Sequence, residues 1–130
     1  MVAPKRDWHK GTTGPDRPDN GAMDPTLPSL TLELRRFAAA RNWKQFHSPK
    51  NLACALSVEA AELLEHFQWL TEEQSRHLDA AKKQAVGQEL ADVLLYLLQL
   101  ADKLGLDVAL EAQKKLALNA VKHPVPSPSK

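Results

Sequence analysis

Ser57-Val58-Glu59-Ala60-Ala61-Glu62-Leu63 and Gln88-Glu89-Leu90-Ala91-Asp92-Val93 are the stretches on which the fold of this chain turns, each an acid pair set inside an apolar run. At about 3.6 residues per helical turn, residues three apart lie roughly 60° from one another on one face, so each stretch aims two carboxylates side by side. Leu52, Ala55, Leu56 and Leu63 flank the first pair on its face, and Val86, Val93, Tyr96 and Leu100 flank the second. The acids thus interrupt core faces of two helices. Several like charges buried together persist where something cationic compensates them, because an isolated buried ion is costly. A donor set of oxygens, with no Cys or His at ligand spacing, suits a hard cation such as Mg²⁺, with Mn²⁺ as a substitute. A solvated face is the competing reading, since 25% of the residues are charged and a single Glu-x-x-Glu usually faces water. On spacing alone both readings stand.

Working outward, the composition favours helices. The apolar content is mostly Leu and Ala, Ile is absent and aromatic residues make up 5% of the 130 residues. The length is that of one domain, and a bundle this small gains from oligomerisation. A net charge of +1, with no long basic run, provides no electrostatic footprint for nucleic acid. The lone Cys54 lies within an apolar helical run and is expected to be a buried, inert thiol in a reducing compartment. With no secretory signal and no apolar run approaching membrane-spanning length, the sequence reads as soluble and cytoplasmic, without a membrane partner.

Residues 1–27, rich in Pro, Gly and charge, are expected to form a disordered arm, in which Trp8-His9 is the one aromatic feature. Met23 within it is a possible alternative start. Residues 28–122 are the expected domain and 123–130 a Pro-punctuated, flexible tail. A first helix begins at Ser29 or Thr31 and carries the stripe Leu30, Leu34, Phe37, Ala38 as far as Arg41. The loop Asn42-Trp43-Lys44-Gln45-Phe46-His47 leads to Ser48-Pro49, an N-cap followed by proline. Its aromatic residues and His are either plugs closing the bundle or the wall of a pocket for a flat ring.

A second helix spans Pro49 to Gln68 and carries the first acid pair, with Glu65 either a peripheral ligand or solvated. A short polar helix follows from Thr71 to about Lys83, and the strongly apolar one from Ala85 to Leu104 ends at Gly105. The latter is apolar on both sides, through Leu90, Leu94, Leu97 and Ala101 as well as the acid-bearing face, which calls for a subunit interface. The last helix, Asp107 to Lys122, bears Lys115, Asn119 and Lys122 on one stripe. That stripe is either solvated or a set of donors for phosphate oxygens.

Taken together, Asn42-Trp43-Lys-Gln-Phe46-His47-Ser-Pro-Lys-Asn51, Glu59-x-x-Glu62, Phe67-Gln-Trp69, Glu89-x-x-Asp92-Val-Leu-Leu-Tyr96 and Lys115-x-x-x-Asn119 resemble the all-α NTP pyrophosphatases of the MazG type, most of all the dCTP pyrophosphatase branch. The resemblance runs from about residue 30 to 124. It implies an all-α four-helix bundle assembled as a dimer or a dimer of dimers, with the site built by more than one subunit. It also implies a Mg²⁺-dependent hydrolase that cuts a nucleoside triphosphate, dCTP or a modified dCTP, into monophosphate and pyrophosphate. Glu59, Glu62, Glu89 and Asp92 match the metal-binding acids, Glu59 and Glu62 being the candidates to orient or deprotonate water. Trp43, Trp69 and Tyr96 match positions lining the base and sugar pocket, Lys115 and Asn119 positions near the nucleotide, and His47 and Asn51 further motif positions. Two positions depart from the pattern: Val58 stands where some relatives have a further Glu, and Leu34 where the dCTP branch often has a His. The reaction class therefore reads more firmly than the base.

Three rivals share parts of this pattern. A phosphoribosyl-ATP pyrophosphohydrolase uses the same carboxylate logic. A ferritin-like di-metal oxidase wants Glu-x-x-His pairs, whereas both signatures here end in an acid. A non-enzymatic helical interaction protein would use its acids only as ion-pair partners for lysines.

Overall fold

A computed structural model describes residues 25–129 of the chain. The expected arm falls outside the described residues apart from its positions 25–27, and Trp8, His9 and Met23 fall outside with it. The described residues form five α-helices and one 3₁₀ turn, with no strand: α1 Leu27–Ala40, the 3₁₀ turn Trp43–Phe46, α2 Pro49–Glu65, α3 Glu72–Arg76, α4 Ala80–Lys103 and α5 Val108–Lys122. The all-α class is as the sequence predicts.

Each helix starts on a side-chain cap. Thr26 and Ser29 form a reciprocal capping box at α1, Ser29 N donating to Thr26 Oγ1 at 3.2 Å and Thr26 N to Ser29 Oγ at 2.8 Å. That box starts α1 before the Ser29 or Thr31 expected from the apolar stripe, because Ser fills the position usually held by Glu or Gln. Ser48 caps α2 as predicted, accepting from Asn51 N at 3.1 Å with Pro49 in the first turn. Thr71 and Gln74 repeat the capping box at α3. That helix ends at Arg76 rather than Lys83, since Asp79 accepts from Lys82 N at 2.7 Å and opens a new helix. Asp107 caps α5 through Leu110 N at 3.1 Å.

The termini of α1 and α4 are turned by two residues with positive φ. Asn42 (φ 55°) leads from α1 into the 3₁₀ turn. Gly105 (φ 67°) follows α4 as the sequence predicts, with Leu106 N bonded to Ala101 O at 2.9 Å and Gly105 N to Asp102 O at 3.1 Å. This paired closure satisfies two of the last carbonyls of α4 and needs a residue that tolerates the left-handed region.

Packing within one chain centres on α4, against which α2 and α1 both lie, while the 3₁₀ turn folds back on α1. Ala38, Leu52, Val86, Leu98 and Ala101 form the buried core, drawn from those three helices. By contrast α5 has no buried residue, packs little against the others and exposes Leu116, Leu118 and Val121, the last at 82%. One chain therefore supplies three helices packed together and a fourth long helix left largely uncovered; the four-helix bundle is not closed within it. Cys54 is exposed on this chain rather than buried, because it falls outside the stripe of α2 that meets α4. No helix among the described residues is long and apolar enough to cross a membrane.

Candidate metal centre

Because α2 and α4 pack side by side, their two acid pairs face each other across one seam. One carboxylate oxygen from each of Glu59, Glu89 and Asp92 lies within 4.8 Å of the others, Glu59 and Glu89 half-buried and Asp92 exposed. Glu62 adjoins them, three residues past Glu59 on α2, close enough for its carboxyl to raise the proton affinity of Glu59. Glu59 Oε2 and Glu89 Oε2 are buried with no hydrogen-bond partner among the described residues. A hydrogen bond is seldom left unmade in a folded interior, and an unpaired carboxylate oxygen there is costlier than a neutral group.

Electrostatics makes the same point. The Glu59 carboxyl is pushed up to about 7, first by the hydrogen bond to Glu62, then by burial, and then by the negative charges of Glu62, Asp92 and Glu89. The only basic side chain found beside the cluster is His66, at the end of α2, with Nε2 3.8 Å from Glu89 Oε1 among the described residues. That neighbour went unread in the sequence, although its place seven residues past Glu59 put it on the acid face. Hard oxygen donors, two of them buried and unpaired, at mutual distances that one ion can span, fit a divalent cation such as Mg²⁺.

Asp92 also belongs to a second feature, a cavity of about 230 Å³ between α1, the 3₁₀ turn and α4. Phe37, Trp43, His47, Tyr96 and Gln99 line it with Asp92. Phe37 and Trp43 meet edge to face at 5.6 Å, and Trp43 meets His47 at 6.0 Å, so the turn presents an aromatic wall. Arg41 stacks on the Phe37 ring, 3.4 Å from its centroid, and braces that wall from behind. Beyond Gln99, Arg35 of α1 and Asp102 of α4 form a two-pronged ion pair, Arg35 Nε donating to Asp102 Oδ2 at 2.8 Å. The hydrogen bonds from Arg35 hold the Asp102 carboxyl below the usual carboxylate range.

The residues named from the sequence therefore fall into two groups. Glu59, Glu62, Glu89 and Asp92 come together, and Trp43, His47 and Tyr96 line the cavity that Asp92 opens into. Asn51 is engaged in holding the turn, its side-chain amide donating to Phe46 O at 2.9 Å. Trp69, beyond α2, is 86% exposed, and Lys115 and Asn119 sit on the uncovered α5; none of these three joins the acid cluster or the aromatic cavity within one chain.

Comparison with known proteins follows the same lines. A family model described as MazG-like matches residues 54–130. The chain is 36% identical over 126 residues to dCTP pyrophosphatase 1 of Mus musculus, a match covering 92% of this chain and 74% of the relative. It is 38% identical over 103 residues to dCTP pyrophosphatase 1 of Homo sapiens, covering 78% of this chain and 61% of that longer protein. Among solved structures, a pyrophosphatase from Archaeoglobus fulgidus aligns with a TM-score of 0.73 at 36% identity, covering 80% of this chain and 97% of that one.

Proposed function

This chain belongs to the MazG-like family, and from that premise we propose that it is a nucleoside triphosphate pyrophosphohydrolase acting on dCTP or a modified dCTP. The observation that carries the reading is the convergence of the Glu59, Glu89 and Asp92 carboxylates, two of their oxygens buried and unpaired, at the mouth of an aromatic cavity. Acids alone repel a triphosphate, so the cluster accepts one only with cations between them. Mg²⁺ bound by Glu59, Glu62, Glu89 and Asp92 would neutralise the phosphates and acidify a water.

The remaining work falls to this chain's own residues. Trp43 offers a stacking face for a base, with Tyr96 beside Asp92 at the sugar end, and a base stacked on an aromatic ring gains about 1–3 kcal/mol. The Glu59–Glu62 pair, side by side on one face of α2, orients the attacking water and takes up its proton. Water oxygen joins one phosphorus as the α–β anhydride opens, leaving monophosphate and pyrophosphate. Lys115, Asn119 and Trp69 enter through a second copy of the chain, in a dimer or a dimer of dimers that also covers Leu116, Leu118 and Val121.

The test is product analysis on a panel of ordinary and 5-substituted deoxynucleoside triphosphates, with and without Mg²⁺, resolving pyrophosphate from orthophosphate. Monophosphate and pyrophosphate formed only with metal, fastest on cytosine nucleotides, is the expected result. Orthophosphate as first product, or no cleavage of any triphosphate, overturns the proposal; turnover of phosphoribosyl-ATP alone would reassign the chain within the same chemistry.

A further inference from the structure

The aromatic cavity has a direction. Asp92, Tyr96 and Gln99 line it from successive turns of one face of α4, so at about 1.5 Å rise per residue Gln99 lies roughly 10 Å along the helix from Asp92. A triphosphate held at the acid cluster places its sugar near Tyr96 and its base toward Gln99. Around that far end the hydrocarbon of Leu34, Ala38 and Leu95 makes up much of the wall. Of the polar groups bordering the adjoining void, the Thr31 hydroxyl donates to Leu27 O at 2.9 Å and Arg35 and Asp102 hold each other, while Lys44 and Lys103 border that void and not the aromatic cavity itself. His47 stands edge-on to Trp43 as part of the aromatic wall. Gln99 is half-buried and its amide enters none of the side-chain hydrogen bonds found among the described residues. It also lines the adjoining 40 Å³ void that continues the cavity past the base position. Its amide is not among the buried unpaired groups of the described residues, so it keeps contact with solvent and is free to turn both its donor and its acceptor to a ligand in the cavity.

We infer that Gln99 contacts the base, its side-chain amide hydrogen-bonding the substituent, amino or oxo, at position 4 of a pyrimidine whose triphosphate lies at the acid cluster. The inference rests on the pyrophosphohydrolase reading and adds to it the residue that contacts the base. Position 4 lies across the ring from the nitrogen that carries the sugar, so a pyrimidine lying along the cavity presents that position to the residue farthest from Asp92. A carboxamide both donates and accepts, so it meets either an amino or an oxo group.

The experiment is an enzyme–substrate double-mutant cycle on the assembled protein. Wild type, Gln99→Met and Gln99→Glu are each assayed on dCTP, dUTP and the 2-pyrimidinone deoxynucleoside triphosphate, which lacks the position-4 group. In the wild type, removing that group lowers kcat/KM about five- to tenfold, the worth of one neutral hydrogen bond. Gln99→Met removes the penalty, and Gln99→Glu, which only accepts, raises the dCTP to dUTP ratio about tenfold. Each ratio is taken within one preparation, so partial unfolding of a variant does not alter it. A penalty in Gln99→Met within twofold of the wild-type value, or an unchanged dCTP to dUTP ratio in Gln99→Glu, overturns the inference while the wild type's cleavage upholds the reaction. Failure of the wild type to cleave any of the three, and any 5-substituted dCTP assayed beside them, overturns both.

Discussion

At the scale of single residues, the acid cluster is defined by what its oxygens lack. Removing one carboxylate charge by Glu62→Gln or Asp92→Asn lowers turnover by at least about two orders of magnitude, the cost of losing a group from a metal site, while size-exclusion chromatography shows the assembly unchanged. Near-normal turnover in both variants would remove the acids from the site. Glu59 adds a pH signature. Its proton is held more tightly in the folded, metal-free chain than when unfolded, so the stability it confers is full below the ordinary 4.5 and is lost as pH rises through about 7. Mg²⁺ competes with that proton. Titration calorimetry at pH 6.5 in buffers of different ionisation enthalpy is expected to show proton release on binding, which Glu59→Gln abolishes. That the four acids would converge was legible because i, i+3 spacing on an apolar face is a local signal. Gln99 was not, since only the packing of α1 against α4 turns an ordinary polar position of α4 into a cavity wall.

At the scale of the elements, helix existence was written in the caps and the ends were not. Ser48-Pro49 and Gly105 act as the sequence predicts. The start of α1 slipped past a capping box that uses Ser29, and the single polar helix expected from Thr71 to Lys83 is cut short because Asp79 caps a fresh one. Both misses arise where a local cap, rather than the apolar stripe, sets the boundary: Thr26 with Ser29 at α1, and Asp79 at α4. The α2–α4 seam holds most of the core, with Leu52 only 1% exposed. Leu52→Ala is expected to cost about 2–5 kcal/mol in denaturant unfolding, whereas Leu118→Ala, on an α5 side chain left 64% exposed, costs far less in the separated chain. Equal losses from the two would mean that the seam is not where the stability lies.

At the scale of the whole molecule, one chain leaves much of α5 uncovered. Exposed Leu116, Leu118, Val121 and Trp69 leave apolar surface that a soluble monomer rarely carries. Val121→Asp should shift the protein toward monomer in sedimentation and lower activity with it, because Lys115 and Asn119 lie on the same helix. An active monomer would contradict a site shared between copies. The sequence's expectation of a subunit interface came from an α4 apolar on two sides; that α5 is the helix left uncovered within one chain was not legible, since α5 is patterned like any amphipathic helix. Finally, the two unpaired carboxylate oxygens sit between the same helices that carry the core, so a cation there would act as a clasp as well as a reagent. Amide hydrogens of α2 and α4 should then exchange with solvent more slowly when Mg²⁺ is added, those of α5 changing less, and the protein would register its metal as rigidity before any nucleotide arrives.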